Sequence, residues 1–344
     1  MTTLYWNPGL NNAYWDDATI KNWATTYNGA PSVQTPTSND DCIFTAYNVF
    51  NCRMLSIGDC NNLYFDNSTN GGYGDYTGQF SKASQSIRIY GNLSLSSGMT
   101  VRNIDDFYFY FAATSGTKTI TTRGVNVYSV LFGGNGGTFQ LQDDLTCSRL
   151  VMNNAGSTLD IGNHTVSFTG YGTGVTMLYS SGAFTANTGT YKIIVSGNGN
   201  ATFAGGGKTY NNIWWARGTS TGSNIITGSN TFNDFKDDGS VAHSLLFTKS
   251  TTTTVATWNV NGTGGGGSVR TILDTVDGAG TFTLHGTGTT LSCDWLDIRR
   301  STVDASPKWY AGANSLNTAS NTNWIFTDPP APPSTTASFL FNML

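Results

Sequence analysis

Two regularities run along the chain. The first is strict alternation of apolar and polar residues over short segments. Thr158-Leu159-Asp160-Ile161 and Thr165-Val166-Ser167-Phe168 alternate on either side of Gly162-Asn163. Leu93 and Leu95, then Met99 and Val101, do the same around Ser97-Gly98. Phe107-Tyr108-Phe109-Tyr110-Phe111 puts three phenylalanines on one face and two tyrosines on the other. A period of two, broken by Gly, Asn and Ser, predicts short half-buried strands joined by tight turns.

The second is a longer repeat, in which an apolar or Cys residue and two mostly polar residues precede an apolar-rich strand. It begins at Cys60, Tyr128, Cys147, Tyr210, Phe232 and Cys293, with intervals near multiples of about 20–23 residues. One such unit cannot bury its own apolar residues, but stacked units form a continuous core. The expected fold is all-β: a right-handed parallel β-helix, or β-solenoid, with terminal caps. A β-sandwich or jelly roll remains the alternative, because its strands also recur every 8–12 residues. The repeat cysteines are expected to share one inward position.

The chain divides on this basis into four segments. Residues 1–50, with Trp6, Trp15 and Trp23, are expected to form an N-terminal cap or attachment region. Residues 51–300 form the solenoid body. Residues 301–328, with Trp309 and Trp324, form the C-terminal cap. Residues 329–344 form a Pro-rich linker ending in Phe339-Leu340-Phe341-Asn342-Met343-Leu344, an apolar tail suited to docking on another subunit.

Composition narrows the picture. Charged residues are 11% of 344, against a usual ~25%. All 21 acids are Asp, because the sequence contains no Glu. Losing the best helix formers while keeping Thr, Val, Ile and aromatics favours strands. A net charge of −4 without a basic cluster gives no footprint for nucleic acid. No apolar run approaches the ~20 residues a helical membrane span needs. The N-terminus carries neither the basic nor the apolar region of a signal peptide. The five cysteines are odd in number and lack CxxC spacing. They read as reduced, buried residues, with a disulfide among Cys42, Cys52 and Cys60 as the alternative.

Trp6, Trp15-Asp16, Trp23 and Pro36-Thr37-Ser38-Asn39-Asp40-Asp41-Cys42-Ile43-Phe44 resemble the opening of repeat-rich β-helical surface proteins. These occur in environmental bacteria and their phages. Asn92–Val101 and Ser157–Val166 are similar to their coil repeats. Trp309-Tyr310-Ala311-Gly312-Ala313-Asn314-Ser315 with Asn323-Trp324-Ile325-Phe326 resembles a closing segment of phage-encoded members. The resemblance implies a virion or adhesive role and transfers no catalytic residue. The expected function is a non-enzymatic phage virion structural protein: a tail fibre, spike or capsid decoration that takes part in host-surface attachment. It would be a homotrimer located in the virion, folded in the host cytoplasm, and joined to other virion proteins through its termini. It would contact a host-surface glycan, without cofactor, nucleic acid or membrane insertion. A polysaccharide-degrading tailspike and a secreted adhesin are the alternatives.

Candidate chemistry is sparse. Gly205-Gly206-Gly207-Lys208-Thr209 lacks the first glycine of a P-loop and precedes a strand, not a helix. Glycan hydrolysis would need two Asp about 5–9.5 Å apart. The candidates are Asp143/Asp144, Asp234 with Asp237 or Asp238, Asp274/Asp277 and Asp294/Asp297; each reads first as a turn or coil edge. Arg299-Arg300 reads as an exposed strand end. His164 and His243 lack a Cys or Asp partner at triad-like spacing. No catalytic or metal residue is assigned. The binding or interface candidates are the outward aromatics Tyr108, Tyr110, Trp214 and Trp215, and Phe339 and Phe341 of the tail.

Overall fold

In the computed structural model, the chain is an all-β solenoid of about 11 turns, with no helix among the described residues. The structure describes residues 1–331 apart from 9–12, 18–19, 34, 48, 84–85, 105–107, 171–174, 180–181, 186, 196–197 and 265–268. Phe107, Phe339 and Phe341 lie outside the described residues.

Among the described residues, every pairing between strands but one is parallel and joins a strand to its counterpart in the next coil. The longest sheet has 12 strands, from Gly58–Cys60 to Leu316–Ala319. Its register shows the repeat directly: Gly58 faces Ile87, Ile87 faces Phe109, Phe109 faces Val130, and Val130 faces Leu150. The steps in that column run from 20 residues (Val130 to Leu150) to 29 (Gly58 to Ile87). At the usual ladder spacing, 11 coils span about 50 Å.

The cross-section changes along the axis. As far as Ala183–Phe184, most coils have three sides. A nine-stranded sheet forms one side, the long sheet another, and a four-stranded sheet followed by an eight-stranded one forms the third. From Thr190 to Thr275 the coils have only two strands each, and the strands of the eight-stranded sheet lengthen, reaching Thr252–Val260. A three-stranded sheet (Thr290–Ser292, Lys308–Tyr310, Trp324–Ile325) then adds a side at the opposite corner. Parallel stacking therefore runs through Trp309 and Trp324, which pair in register. At the other end, Trp23–Ala24 runs antiparallel to Thr2–Trp6 and closes the first coil.

The core is one continuous cluster. Aromatic rings repeat from coil to coil: Phe111 stacks on Phe132 with centroids 5.0 Å apart, and Phe235 on Trp258 at 4.9 Å. At the N-terminal end, Trp23 meets Trp6, Trp15 and Phe44 edge to face, while Trp15 stacks on Phe44 with centroids 6.4 Å apart. All five cysteines are buried and free, so no disulfide joins Cys42, Cys52 and Cys60. Burial pushes the Cys147 and Cys293 thiols far above the ordinary range.

The cysteines are inward, but they do not share one position. Cys60 ends a strand of the long sheet, Cys147 ends a strand of the eight-stranded sheet, and Cys293 follows the strand Thr290–Ser292. The repeated sequence marks corners of similar shape at different places in the coil. A left-handed residue that turns the chain recurs at Tyr128 (φ 58°) and Trp295 (φ 58°).

Candidate functional site

Alternation places the candidate aromatics on opposite sides of the wall. Trp215 and Ile213 point into the core with no exposure, whereas Trp214 points outward. Trp215 is therefore a core residue and cannot bind a partner. On the outer face, Lys192, Trp214 and Lys236 form one ladder column. The two ammonium groups lie 3.8 and 4.2 Å from the centre of the Trp214 ring, and its Nε1 donates to Asp238 Oδ2 at 2.8 Å. Lysines from the neighbouring rungs thus occupy the indole faces that a sugar ring would use.

Tyr108 and Tyr110 alternate outward with buried Phe109 and Phe111. The Tyr108 hydroxyl accepts from Arg149 Nη1 at 2.5 Å, and the Arg149 guanidinium lies 5.7 Å from its ring centre. Tyr110 sits in register between Arg88 and Leu131, with its ring against Gly133, where an added Cβ would lie 2.3 Å from Tyr110 Cε2. Both tyrosines are half-covered by their own face.

The aspartates mostly hold turns. Asp143 accepts backbone N–H bonds from Thr122 at 2.8 Å and Arg123 at 2.5 Å, one coil away. Asp144 accepts from Thr165 N in the following coil. Asp238 accepts from Arg217 N at 2.9 Å, so it repeats the role of Asp143. Asp234 takes Asn259 Nδ2 at 2.6 Å; burial raises its pKa, against the opposing effects of Asn259 and Lys236. Asp277 pairs with Lys249 at 2.6 Å. Asp294 takes Asn314 Nδ2 at 2.7 Å and lines a cleft of about 650 Å³ with Asp328, Trp258 and Asn261. Asp297 turns instead to Arg299 and Thr318. Arg300 is not a free strand end: it forms a two-point pair with Asp274, with Nε 2.7 Å from Oδ1. Gly205–Lys208 is the turn between strands Ala201–Ala204 and Thr209–Ala216, and Gly207 N donates to Asn230 Oδ1. Among the described residues, no group of three or more His, Cys or Asp is placed to hold a metal.

Two constellations escaped the sequence reading. The first corrects the view of His243 as partnerless. His243, Asp237, Asn224 and Arg217 are all buried and connected. His243 Nε2 lies 2.9 Å from Asp237 Oδ1, and Nδ1 lies 2.7 Å from Val241 O. Both ring nitrogens face acceptors, which selects the doubly protonated ring. Burial lowers the His243 pKa, but the bond to Asp237, its charge and the Val241 carbonyl together outweigh that and raise it. Asn224 bridges the other Asp237 oxygen (2.9 Å) to Arg217 Nη1 (2.5 Å). Arg217 also donates to the Ser220 and Gly199 carbonyls. With Nδ1 committed to a backbone carbonyl and Nε2 to the carboxylate, the imidazole has no nitrogen left for a nucleophile. The network is structural.

The second constellation is a tyrosine cluster at the N-terminal end. Tyr27 stacks on Tyr73 with centroids 3.9 Å apart at 9°, and both meet Tyr5 edge-on. Tyr47 packs edge-on against Tyr27 at 5.9 Å and is 55% exposed. The sequence signal is the recurrence of tyrosine at Tyr5, Tyr27, Tyr47 and Tyr73, which follows no fixed spacing because Tyr5 and Tyr27 belong to the first coil and the turn after its closing strand, and Tyr47 and Tyr73 to the two coils that follow. No protein-family model, curated protein or solved structure matches the chain.

Proposed function

We propose that the chain is a non-enzymatic structural protein of a phage particle, a fibre, spike or surface decoration that assembles as a trimer and takes part in host-surface attachment. One observation carries this reading: most of the described carboxylates named above are tied into turn caps and ion pairs, many of them between coils. Asp143, Asp144 and Asp238 each accept backbone N–H groups of an adjacent coil. Such groups stiffen a rod; they are not poised to move protons. An elongated, weakly charged wall suits lateral contact and adhesion more than steering of small substrates. Gradient-purified particles of the phage that encodes the chain should contain it in multiples of three. Purified protein that sediments as a monomer and is missing from particles by mass spectrometry overturns the reading.

A polysaccharide-degrading spike is the second reading, favoured by the cleft shared by Asp294 and Asp328. Asp294→Ala and Asp328→Ala should leave capsule halos and glycan chain length unchanged. Loss of halos with an intact fold would promote the depolymerase.

A further inference from the structure

Ten large hydrophobic residues are exposed among those described, and eight of them fall within the first 57 residues: Met1, Ile20, Tyr27, Tyr47, Val49, Phe50, Leu55 and Ile57. Within that end, the tyrosine cluster is the part with a built scaffold. Tyr47 and Tyr73 occupy the same corner of successive coils, after strands Asp40–Ile43 and Leu63–Tyr64. The Ala46 amide donates to the Tyr73 carbonyl at 3.3 Å, so the two corner loops stack. Gly74 (φ 82°) allows this approach: an added Cβ would lie 2.7 Å from the Ala46 Cβ.

The second loop is longer than the turn requires. Residues 65–78 separate strands that other coils join in a few residues, and the excess is pinned by buried polar groups. Asn70, with no exposure, donates to the Phe44 carbonyl at 3.1 Å and to the Gly74 carbonyl at 2.6 Å, and accepts from Tyr73 N at 3.0 Å. Asp66, 1% exposed, accepts from Ser68 N at 2.8 Å and Thr69 Oγ1 at 2.7 Å, and pairs with Arg123 at 3.0 Å. Asp75 accepts from Asn67 N at 2.7 Å. The loop reads Asp-Asn-Ser-Thr-Asn-Gly-Gly-Tyr-Gly-Asp-Tyr, the Tyr, Ser, Gly and Asn vocabulary of adaptable recognition surfaces. Insertions in solenoids that gather on one face commonly form the binding face.

We infer that Tyr5, Tyr27, Tyr47 and Tyr73 form a preorganised binding site for an uncharged sugar ring of a surface glycan. The site deepens the attachment role proposed above and rests on it. The exposed ring of Tyr47 supplies the stacking face, Tyr27 stands beside it with one face held against Tyr73, and the phenol groups supply polar partners. The nearby cation Arg123 is committed to Asp66, so nothing in the cluster selects an anionic sugar. The cluster is also far smaller than the 20–30 residues a side of a stable protein interface. The buried anchors fix the loop before binding, which removes ordering cost from the association.

The test is retention of the intact labelled chain on an array of neutral and acidic bacterial surface glycans. The variants are Tyr47→Ala, Tyr47→Trp and, at an exposed apolar residue far along the chain, Val276→Ala, each checked for unchanged thermal unfolding. Tyr47 is more than half exposed, so its replacement leaves the fold intact. Wild type should bind neutral glycans, Tyr47→Ala about tenfold more weakly, Tyr47→Trp like wild type, and Val276→Ala unchanged. Equal binding by wild type and Tyr47→Ala, retention on acidic glycans alone, capture only by protein partners, or no retention overturns the site. Failure of the site is separable from failure of the virion reading. Particles that contain the chain without glycan binding overturn only the site, and glycan binding by a chain missing from particles overturns only the virion role.

Discussion

Replacing Asp237 with Asn should both destabilise the rod and remove a pH dependence. Asp237 is the only carboxylate in the buried network and accepts from His243 Nε2 at 2.9 Å, Asn224 Nδ2 at 2.9 Å and Gly239 N at 2.9 Å. Asparagine keeps the shape but removes the negative charge between two buried cations. Breaking a buried ion pair by neutralising one partner costs about 3–5 kcal/mol. Arg217 keeps its backbone carbonyl acceptors, so about 3 kcal/mol is the expected loss, read as a lower denaturant midpoint.

The pH dependence follows from the raised pKa of His243. A proton held more tightly in the folded state contributes its full stability below the unfolded value of about 6.5 and loses it as the pH rises through the folded pKa. In that window wild type should lose about 1.4 kcal/mol per pH unit from this group, and Asp237→Asn should not. The difference between the two proteins isolates the network from the other two histidines, His164 and His285. Hydrogen exchange at the Gly239 amide gives a local reading, since that N–H exchanges a carboxylate acceptor for the weaker, neutral amide oxygen of asparagine. A variant within about 0.5 kcal/mol of wild type, or with the same pH slope, would refute the reasoning.

Three further outcomes are expected. Asp143→Ala frees the amides of Thr122 and Arg123 and should cost about 1–2 kcal/mol, measured by chemical unfolding, with an unchanged far-ultraviolet spectrum. Burial raises the pKa of Asp66, but bonds from Ser68, Ser94 and Thr69 outweigh it and hold the pKa at about 2. Its stabilisation is therefore complete above about pH 4 and lost as the pH falls through about 2; tyrosine fluorescence from the loop should change across that interval and not above it. The five buried thiols should resist a thiol-reactive dye in the native protein and all react after denaturation.

The period-two alternation of Thr158–Phe168 located two strands and their inward residues without any structure. The coil length was also legible, because stacking forces each coil to return its apolar residues to the same wall. The phase was not. Corners built by different sheets share one residue pattern, so Cys60, Cys147 and Cys293 looked equivalent although the coil places them differently. Trp214 and Trp215 read alike as outward aromatics in the sequence, but neighbours on one strand face opposite sides, and the ladder with Lys192 and Lys236 leaves only Trp214 outside. The Arg217–Asp237–His243 network and the tyrosine cluster were illegible for one reason. Their members meet through stacking and corner loops, which the spacing of titratable or aromatic residues along the chain does not encode.

The most direct test of the proposed role is a cryo-electron-microscopy map of the intact phage particle to which the proposal assigns the chain. Three copies of an 11-turn solenoid around a common axis on the particle surface, with the tyrosine-bearing end accessible, are the expected result. A particle whose surface proteins are all accounted for without this solenoid would contradict it.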